Sequence, residues 1–574
     1  MSALLLQTLH GKSWLSALLS LLFITVCSFV VGLVPIRADN DCWWHVKSGE
    51  YISENGLPEH DVFNYMAESY EWHNHEWLTQ VLMWKAYQAG ESTIGGWRGV
   101  IFATASVIWV TMVLLWVLAA RISGNHWIAL FVVLMALGLG RRTYYPRPPV
   151  VTNLLIAVML LILYAVQERG ASRWLLLGLP AMFALWSNLH GGWFAGLVVL
   201  SAFGLQNIVQ HLTHRSEVDG SQAPPLMDTV PHPIPWVWLL TIGPACFLAT
   251  LLNPFTYHLY ALPARVLSNK ELVQSLGELL PPDINHVTDF VLWTMFVVVA
   301  ALIGGVRGRA RRLGEVLLVL FFFWQAIHHV RHLLLLSVVM VPLVTRLLTG
   351  VVEETADYVA RWNPRLRVIG SLAAFAGALF WGALVVLNYS SAFANLPKPT
   401  VAGLIHQSYI GRFHQYRNVP GGYLTNGFPH HLCNYIELLD LQGRMFNENN
   451  YAGYLIWRFG TERRVFSDPR FDIFGADIWN DEVTITKGEP EWEQLLQKHG
   501  VTYVLARDRT ILDVLLDEDE DWELVADFST LTTREGFPLS DKPWRVYILK
   551  SAYPEGFATQ ARRVYEGYRR QFGG

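Results

Sequence analysis

Two aspartates, Asp39 and Asp41, stand with His45 in ADNDCWWHVKSGEY, a few residues after an apolar run long enough to cross a bilayer. A carboxylate so placed can take a proton from an attacking hydroxyl, or hold a divalent metal against a phosphate. Further on, SYEWHNHEWL brings His73, His75 and Glu76 close together. GRRTYYPRPP carries Arg141, Arg142 and Arg147 around Tyr144 and Tyr145, WSNLHGGWF carries Asn188 and His190, and HHVRH ends in Arg331 and His332. Guanidinium groups suit phosphate because they offer paired donors and a fixed charge. Acids and cations of these kinds are what group transfer from a phosphate leaving group needs. Asp41, Asp39 and Glu76 are therefore the candidate catalytic acids, Asp39 and Asp41 the candidate metal ligands, and the remaining residues the candidate binders.

Each cluster also has a plainer use. The two aspartates suit the N-terminus of a following helix. His73 to Glu76 can serve interface hydrogen bonding, and on a helix only His73 and Glu76 would share a face. The arginine loop can meet lipid headgroups. The glycines of WSNLHGG can let two helices pack closely.

The elements that must position these residues follow from composition. The chain has 574 residues, 52% hydrophobic and only 16% charged, so it reads as a membrane protein with a sizeable soluble part. Its net charge of −4 gives no argument for nucleic acid or a polybasic lipid anchor. The 24 tryptophans fit interfacial belts. The cysteines lie far apart with no metal-type spacing, and Cys42 with Cys433 is the one pair for which a disulfide is conceivable. Apolar runs of near-spanning length fall at about 14–35, 94–119, 125–140, 150–167, 173–187, 191–208, 235–253, 288–305, 313–328, 332–348 and 367–388. The first reads as a retained span, being too long for a signal peptide and lacking a small-residue cleavage site.

With the N-terminus inside, inner loops hold Arg121, Arg169, Arg173, the RGRARR cluster (Arg307 to Arg312), Arg361, Arg365 and Arg367, as the positive-inside bias asks. The loop 36–93 and everything after Asn388 then face outward, and so do all the polar clusters above. Arg141, Arg142 and Arg147 break the bias, which suggests use. One cavity opening outward is the expectation, because polar groups at a bilayer boundary are costly unless they pair, line a cavity or bind something. Within the first loop, WLTQVLMWKAYQAG has apolar residues at helical spacing and reads as an interfacial helix. After the spans, GRMFNE, RRVFSD, VTYVLAR and WRVYILK read as strands, and HHLCNYIELLDLQG, EWEQLLQKHG and RTILDVLLDED as helices, which predicts a small α/β domain. Asp468, Arg470 and Asp472 follow one of those runs, either as ligand groups at a strand end or, more plainly, as a salt-bridged turn.

This arrangement resembles the C-type glycosyltransferase superfamily: multispanning enzymes with an acid motif in a long first outer loop, which use polyprenyl-phosphate sugars. More narrowly, ADNDCWWHVKSGEYI, SYEWHNHEWL, WSNLHGGWFAGL, NENNYAGYLIW and RRVFSDPRFDIFG are similar to a group of bacterial membrane proteins placed in that superfamily. The resemblance implies a polytopic α-helical membrane protein of about eleven transmembrane helices (1–389, with 36–93 as first outer loop) and a C-terminal extracytoplasmic α/β domain (390–574). It implies transfer of a sugar from a polyprenyl-phosphate donor to a glycan, lipid or protein acceptor at the outer face of the plasma (inner) membrane. By the same carry-over Asp39 and Asp41 match the acid motif, and Asp41 the acid that acts as base or metal ligand, with a divalent cation (magnesium or manganese) as cofactor. Glu76 has no counterpart in the motif and rests on its own chemistry. Membrane lipid and lipid-linked sugar are the expected partners, and no nucleic acid. A non-catalytic scaffold or glycan-binding relative, or a flippase of lipid-linked sugar, remains the alternative. Against transport stand the absence of visible inverted repeats and the outward placement of the charges.

Overall fold

The structure, a computed structural model, describes residues 7–33, 40–217, 229–261, 279–282, 312–363, 368–391, 428–474, 477–530 and 544–572. Asp39, the run 288–305, Arg307 to Arg311, Arg365 and Arg367 lie outside them. The chain divides into two compact units. One holds Met1–Val34, Val100–Tyr257 and Leu276–Lys398, and the other Pro35–Gly99, His258–Ser275 and Pro399–Gly574.

The first unit is helical. Trp14–Gly32, Gly96–Ser123, Pro149–Arg169 and Trp193–Thr213 are each long and apolar enough to cross a membrane, and the bent pair Val330–Val339 and Val341–Ala360 makes a fifth if taken as one. His126–Gly140, Trp236–Ala249, Leu313–His328 and Ile369–Ala383 are apolar but shorter. All of these fall on apolar runs read from the sequence, and the run at 173–187 becomes a 3-10 turn, Arg173–Leu177, followed by the helix Gly178–Leu189. Helix ends are set locally. Ser13 and Ser16 form a capping box on the first helix. The side-chain oxygen of Asn125 accepts from Trp127 N (2.9 Å) and Ile128 N, while its Nδ2 donates to Ser371 Oγ at 2.7 Å and His10 O at 3.0 Å. One cap thus ties three segments. Pro149 starts the next long helix, where a missing N–H costs nothing, and Gly170 ends it with φ 62°.

A charged cluster clamps three helices of this unit. Arg346 donates to Glu315 Oε1 and to Glu168 Oε1, both at 2.7 Å, and Arg312 donates to both oxygens of Glu168 at 3.1 and 3.2 Å. The Tyr164 hydroxyl also donates to Glu315. Two arginines against two glutamates leave no net charge among the buried or half-buried groups, which is the condition for tolerating them there.

The second unit joins the first loop to the tail. Its sheet has the order β1-β2-β4-β3: β1 (Arg444–Phe446) runs parallel to β2 (Val501–Arg507), which pairs antiparallel with β4 (Trp544–Leu549), and β4 with β3 (Trp522–Asp527). Tyr503, Val504, Leu505, Val546 and Tyr547 are fully buried in its core. The helices read at HHLCNYIELL, EWEQLLQK and RTILDVLLDE are present as His430–Leu439, Trp492–Lys498 and Ile511–Glu518. Two strand readings change. RRVFSD forms no strand, and Val465 instead bridges Asn64 of the first loop, while the sheet's edge strand is WELVAD. Each of the four cysteines is buried and unbridged.

The first-loop helices Asp41–Asn55 and Trp77–Glu91 pack on each other. At Gly49 the approach is so close that a Cβ would fall 2.0 Å from the Gln80 carbonyl oxygen. Trp43 is buried with its ring against Trp97, Phe428 and Tyr454 at 4.3 to 5.4 Å between centroids. From the tail, Arg470 enters the loop's core. It pairs with Asp61 at 2.8 Å and with Asp468 at 2.8 Å, and its guanidinium lies over the rings of Trp72, Phe63 and Trp44 at 4.8, 5.5 and 5.8 Å. Asp61 Oδ1 also accepts from the backbone N–H groups of Phe63 and Asn64, and Asn64 Nδ2 donates to Asp468. Burial pushes the Asp61 carboxyl up, and the guanidinium opposes that shift. The Asp468–Arg470 pair is thus a salt-bridged turn whose third partner is an acid of the first loop.

Candidate active site

Asp41 occupies the first turn of its helix, where negative charge is favoured, and its Oδ1 accepts from Trp44 Nε1 at 3.3 Å. One turn on, His45 is buried with its ring against Trp44 at 3.7 Å. The residues His73 to Glu76 are not helical, so the shared-face expectation does not apply, and Glu76 stands immediately before the helix that starts at Trp77. Glu76 sits 3.7 Å from His45 Nδ1 through one oxygen and 3.7 Å from His75 Nε2 through the other. Gln80 Nε2 reaches His45 Nδ1 at 3.3 Å, and Asn74 Nδ2 donates to Gln80 Oε1 at 2.7 Å. His73 belongs to a neighbouring set, stacked on His258 at 4.8 Å and 3.4 Å from Glu71. The loop therefore brings His45, His75 and Glu76 together, one helical turn from Asp41.

A divalent cation needs several hard oxygen ligands. Among the described residues no three of His, Cys, Asp and Glu are grouped to hold one, and Asp41 alone brings a single carboxylate. The second candidate ligand, Asp39, lies outside the described residues.

A second cluster lies in the helical unit. The helix His126–Gly140 ends in a 3-10 turn, Arg141–Thr143, that carries Arg141 and Arg142, and Thr143 Oγ1 closes it onto Gly140 O at 2.8 Å. Tyr144 is buried against Gly140, where a Cβ would fall 2.9 Å from the tyrosine ring and hydroxyl. Tyr145 O accepts from Arg147 N at 2.7 Å, and Pro148 and Pro149 lead into the next helix. The Arg141–Thr143 turn packs on Leu333–Val339, the helix that directly follows Arg331 and His332 on the 3-10 turn Val330–His332. Two of the expected cationic segments thus meet through one helix.

On the first turn of Pro149–Arg169, Thr152 Oγ1 lies 2.8 Å from His190 Nδ1 and accepts from Trp186 Nε1 at 3.1 Å. The backbone N–H of Gly192 donates to the same Nδ1 at 2.9 Å, which places the proton of neutral His190 on Nε2. A Cβ at Gly192 would fall 2.2 Å from Thr152 Oγ1, so this glycine seats the histidine and is more than a helix-packing spacer. Asn188 differs: its amide hydrogens go to Ala184 O and Leu252 O at 2.8 and 2.9 Å, fastening the helix end to the turn that follows Trp236–Ala249.

No model of a known protein family matches the chain, and no curated protein matches it. Solved structures do. The oligosaccharyltransferase of Archaeoglobus fulgidus tethered with an acceptor peptide superposes with a TM-score of 0.53 at 14% identity, over 85% of this chain and 69% of that one. The same archaeal enzyme, AglB, in complex with an inhibitory peptide and a dolichol-phosphate gives 0.52 at 13% identity, over 86% and 70%. ArnT from Cupriavidus metallidurans bound to undecaprenyl phosphate gives 0.50 at 12% identity, over 93% and 98%. The chain has the C-type glycosyltransferase fold. At these identities the likeness concerns the fold alone.

Residue type alone points to the acids, histidines and arginines. It passed over Gln80, Thr152, Trp186 and His258. Gln80 had a signal, since it lies one helical turn after Glu76 on a mainly apolar helix. A threonine three residues into a spanning helix has none.

Proposed function

We propose that this protein is a membrane glycosyltransferase that moves a sugar from a polyprenyl-phosphate donor to a hydroxyl- or amide-bearing acceptor glycan, lipid or protein. The observation that supports this most is agreement in fold along 93% of the chain with ArnT bound to undecaprenyl phosphate. To it we add an acid–histidine set in the first loop and an arginine turn in the helical unit. In the proposed reaction the acceptor atom attacks the anomeric carbon and Asp41 takes its proton. The bond from that carbon to the phosphate oxygen breaks, and the electron pair leaves on the lipid phosphate. Arg141, Arg142 and Arg147, with Arg331 and His332, are assigned to the phosphate. Tyr144 and Tyr145 hold the shape of their loop, and Pro146, Pro148 and Pro149 limit the entropy it loses on binding.

Losing one charged contact to a phosphate costs on the order of 1.5–3 kcal/mol, roughly ten- to a hundredfold in affinity. Arg147→Ala and Arg331→Ala are each expected to weaken binding of polyprenyl phosphate by that factor, read by titration of the purified protein. Unchanged affinity in both would return these arginines to headgroup anchoring and favour a non-catalytic scaffold. The chain is placed in the plasma (inner) membrane, N-terminus cytoplasmic and tail extracytoplasmic, on its arginine bias. A reporter fused after Asn388 is expected to read as outside, and a cytoplasmic reading would invert the assignment.

A further inference from the structure

We propose that Gln80 and Asn74 are positioning residues that hold His45 as the neutral tautomer with its proton on Nε2. His45 then serves the first-loop site as a hydrogen-bond donor, and proton acceptance falls to a carboxylate. The tautomer itself rests only on geometry, and its use in catalysis rests on the function proposed above.

The direction of the relay is set by a group that cannot turn round. The backbone N–H of Glu76 donates to Asn74 Oδ1 at 3.4 Å, so the amide nitrogen of Asn74 faces the other way. That nitrogen donates to Gln80 Oε1 at 2.7 Å, which leaves the Gln80 amide nitrogen against His45 Nδ1 at 3.3 Å. Nδ1 must therefore accept, and a neutral imidazole that accepts there carries its hydrogen on Nε2. Glu76 Oε2 also faces Nδ1, at 3.7 Å and beyond hydrogen-bond reach. Asn74 and Gln80 are 3% and 0% exposed, so water is a poor substitute for either partner.

A proton on Nδ1 would meet the Gln80 amide hydrogens. Reversing Gln80 would set two amide nitrogens face to face, and reversing Asn74 as well would only pass the conflict to the fixed N–H of Glu76. The backbone supports the same register: His45 and Gly49 are one turn apart, and Gly49 lets the Gln80 backbone lie directly on that helix. A buried histidine in a polar pocket could serve as base or as donor. The relay decides for donor, and it separates His45 from Asp41 and Glu76 in kind.

The test is nitrogen-15 NMR of the full-length protein in detergent micelles with labelled histidine, the His45 signals being those lost in His45→Gln. The wild type is expected to show an unprotonated Nδ1 and a protonated Nε2. Gln80→Glu keeps the shape and the bond from Asn74 but presents a carboxylate oxygen to Nδ1, and is expected to move the hydrogen to Nδ1. Gln80→Leu is expected to populate both tautomers. A wild-type Nδ1–H or imidazolium, or an unchanged tautomer in both variants, overturns the proposal. If the tautomer is as stated while Asp41→Asn still transfers sugar, the functional reading alone falls.

Discussion

Asp41→Asn is expected to abolish sugar transfer by the purified protein while leaving its expression and melting behaviour close to wild type. Asparagine keeps an oxygen for the Trp44 indole, which now reaches Asp41 Oδ1 at 3.3 Å, and it keeps the side-chain volume. It loses the charge and the basicity. Loss of charge in a first helical turn costs about 0.3–1 kcal/mol, a small part of a domain's stability. Loss of a positioned general base costs about a hundred- to ten-thousandfold in rate. The two effects differ enough to be separated by measuring turnover and thermal unfolding on the same preparation. Asp39→Asn is expected to weaken transfer less. Near-normal turnover in both single variants and in the double variant would remove the acids from the mechanism.

The largest effect on stability is expected at Arg470, whose acid partners are Asp61 and Asp468. Arg470→Met leaves Asp61 and Asp468, each at most 3% exposed, as two buried acids without their shared cation. Breaking a buried ion pair on one side costs about 3–5 kcal/mol, and here one guanidinium serves two carboxylates. It also forfeits the ring contacts with Trp72, Phe63 and Trp44. Arg464→Ala is the internal comparison. Arg464 pairs with Glu68 at 3.5 Å, where the side chains are 33% and 63% exposed, so its loss should cost no more than about 1 kcal/mol. Urea unfolding of the two variants, followed by tryptophan fluorescence, would show whether Arg470 carries the larger share. Equal midpoints would mean that the trio is not what holds loop and tail together.

Much of this was legible in the sequence, for physical reasons that differ by element. Spanning helices announce themselves because lipid forces every backbone group into internal hydrogen bonds and every exposed side chain to be apolar. VTYVLAR and WRVYILK were readable as strands because their β-branched and aromatic residues alternate or cluster in a short run. WELVAD was not, since it follows the acid run DEDED and offers few such residues. RRVFSD misled in the opposite sense: Val465 and Phe466 are buried without joining the sheet, Val465 bridging Asn64 of the first loop and Phe466 packing on Tyr65 of that loop and on Phe446 of β1. In the site, charged and imidazole side chains stood out by type. Gln80 and Thr152 did not, because amides and hydroxyls have many ordinary uses and only their partners give them meaning. Asp61 was invisible for a third reason, since no local pattern can point to an arginine so far along the chain.

That last separation has a temporal side. Asp61 and Arg470 are 409 residues apart. At about 5–20 residues per second, a ribosome takes roughly 20–80 s to travel between them. For that interval the first loop exists without the cation its core is built around, and its aromatic rings have no guanidinium to close on. Assembly of the loop's core therefore waits for Arg470, and a nascent chain stopped before it would carry Asp41 on a loop that has not yet set. Synthesis through Arg470 is thus a checkpoint on the loop that carries Asp41.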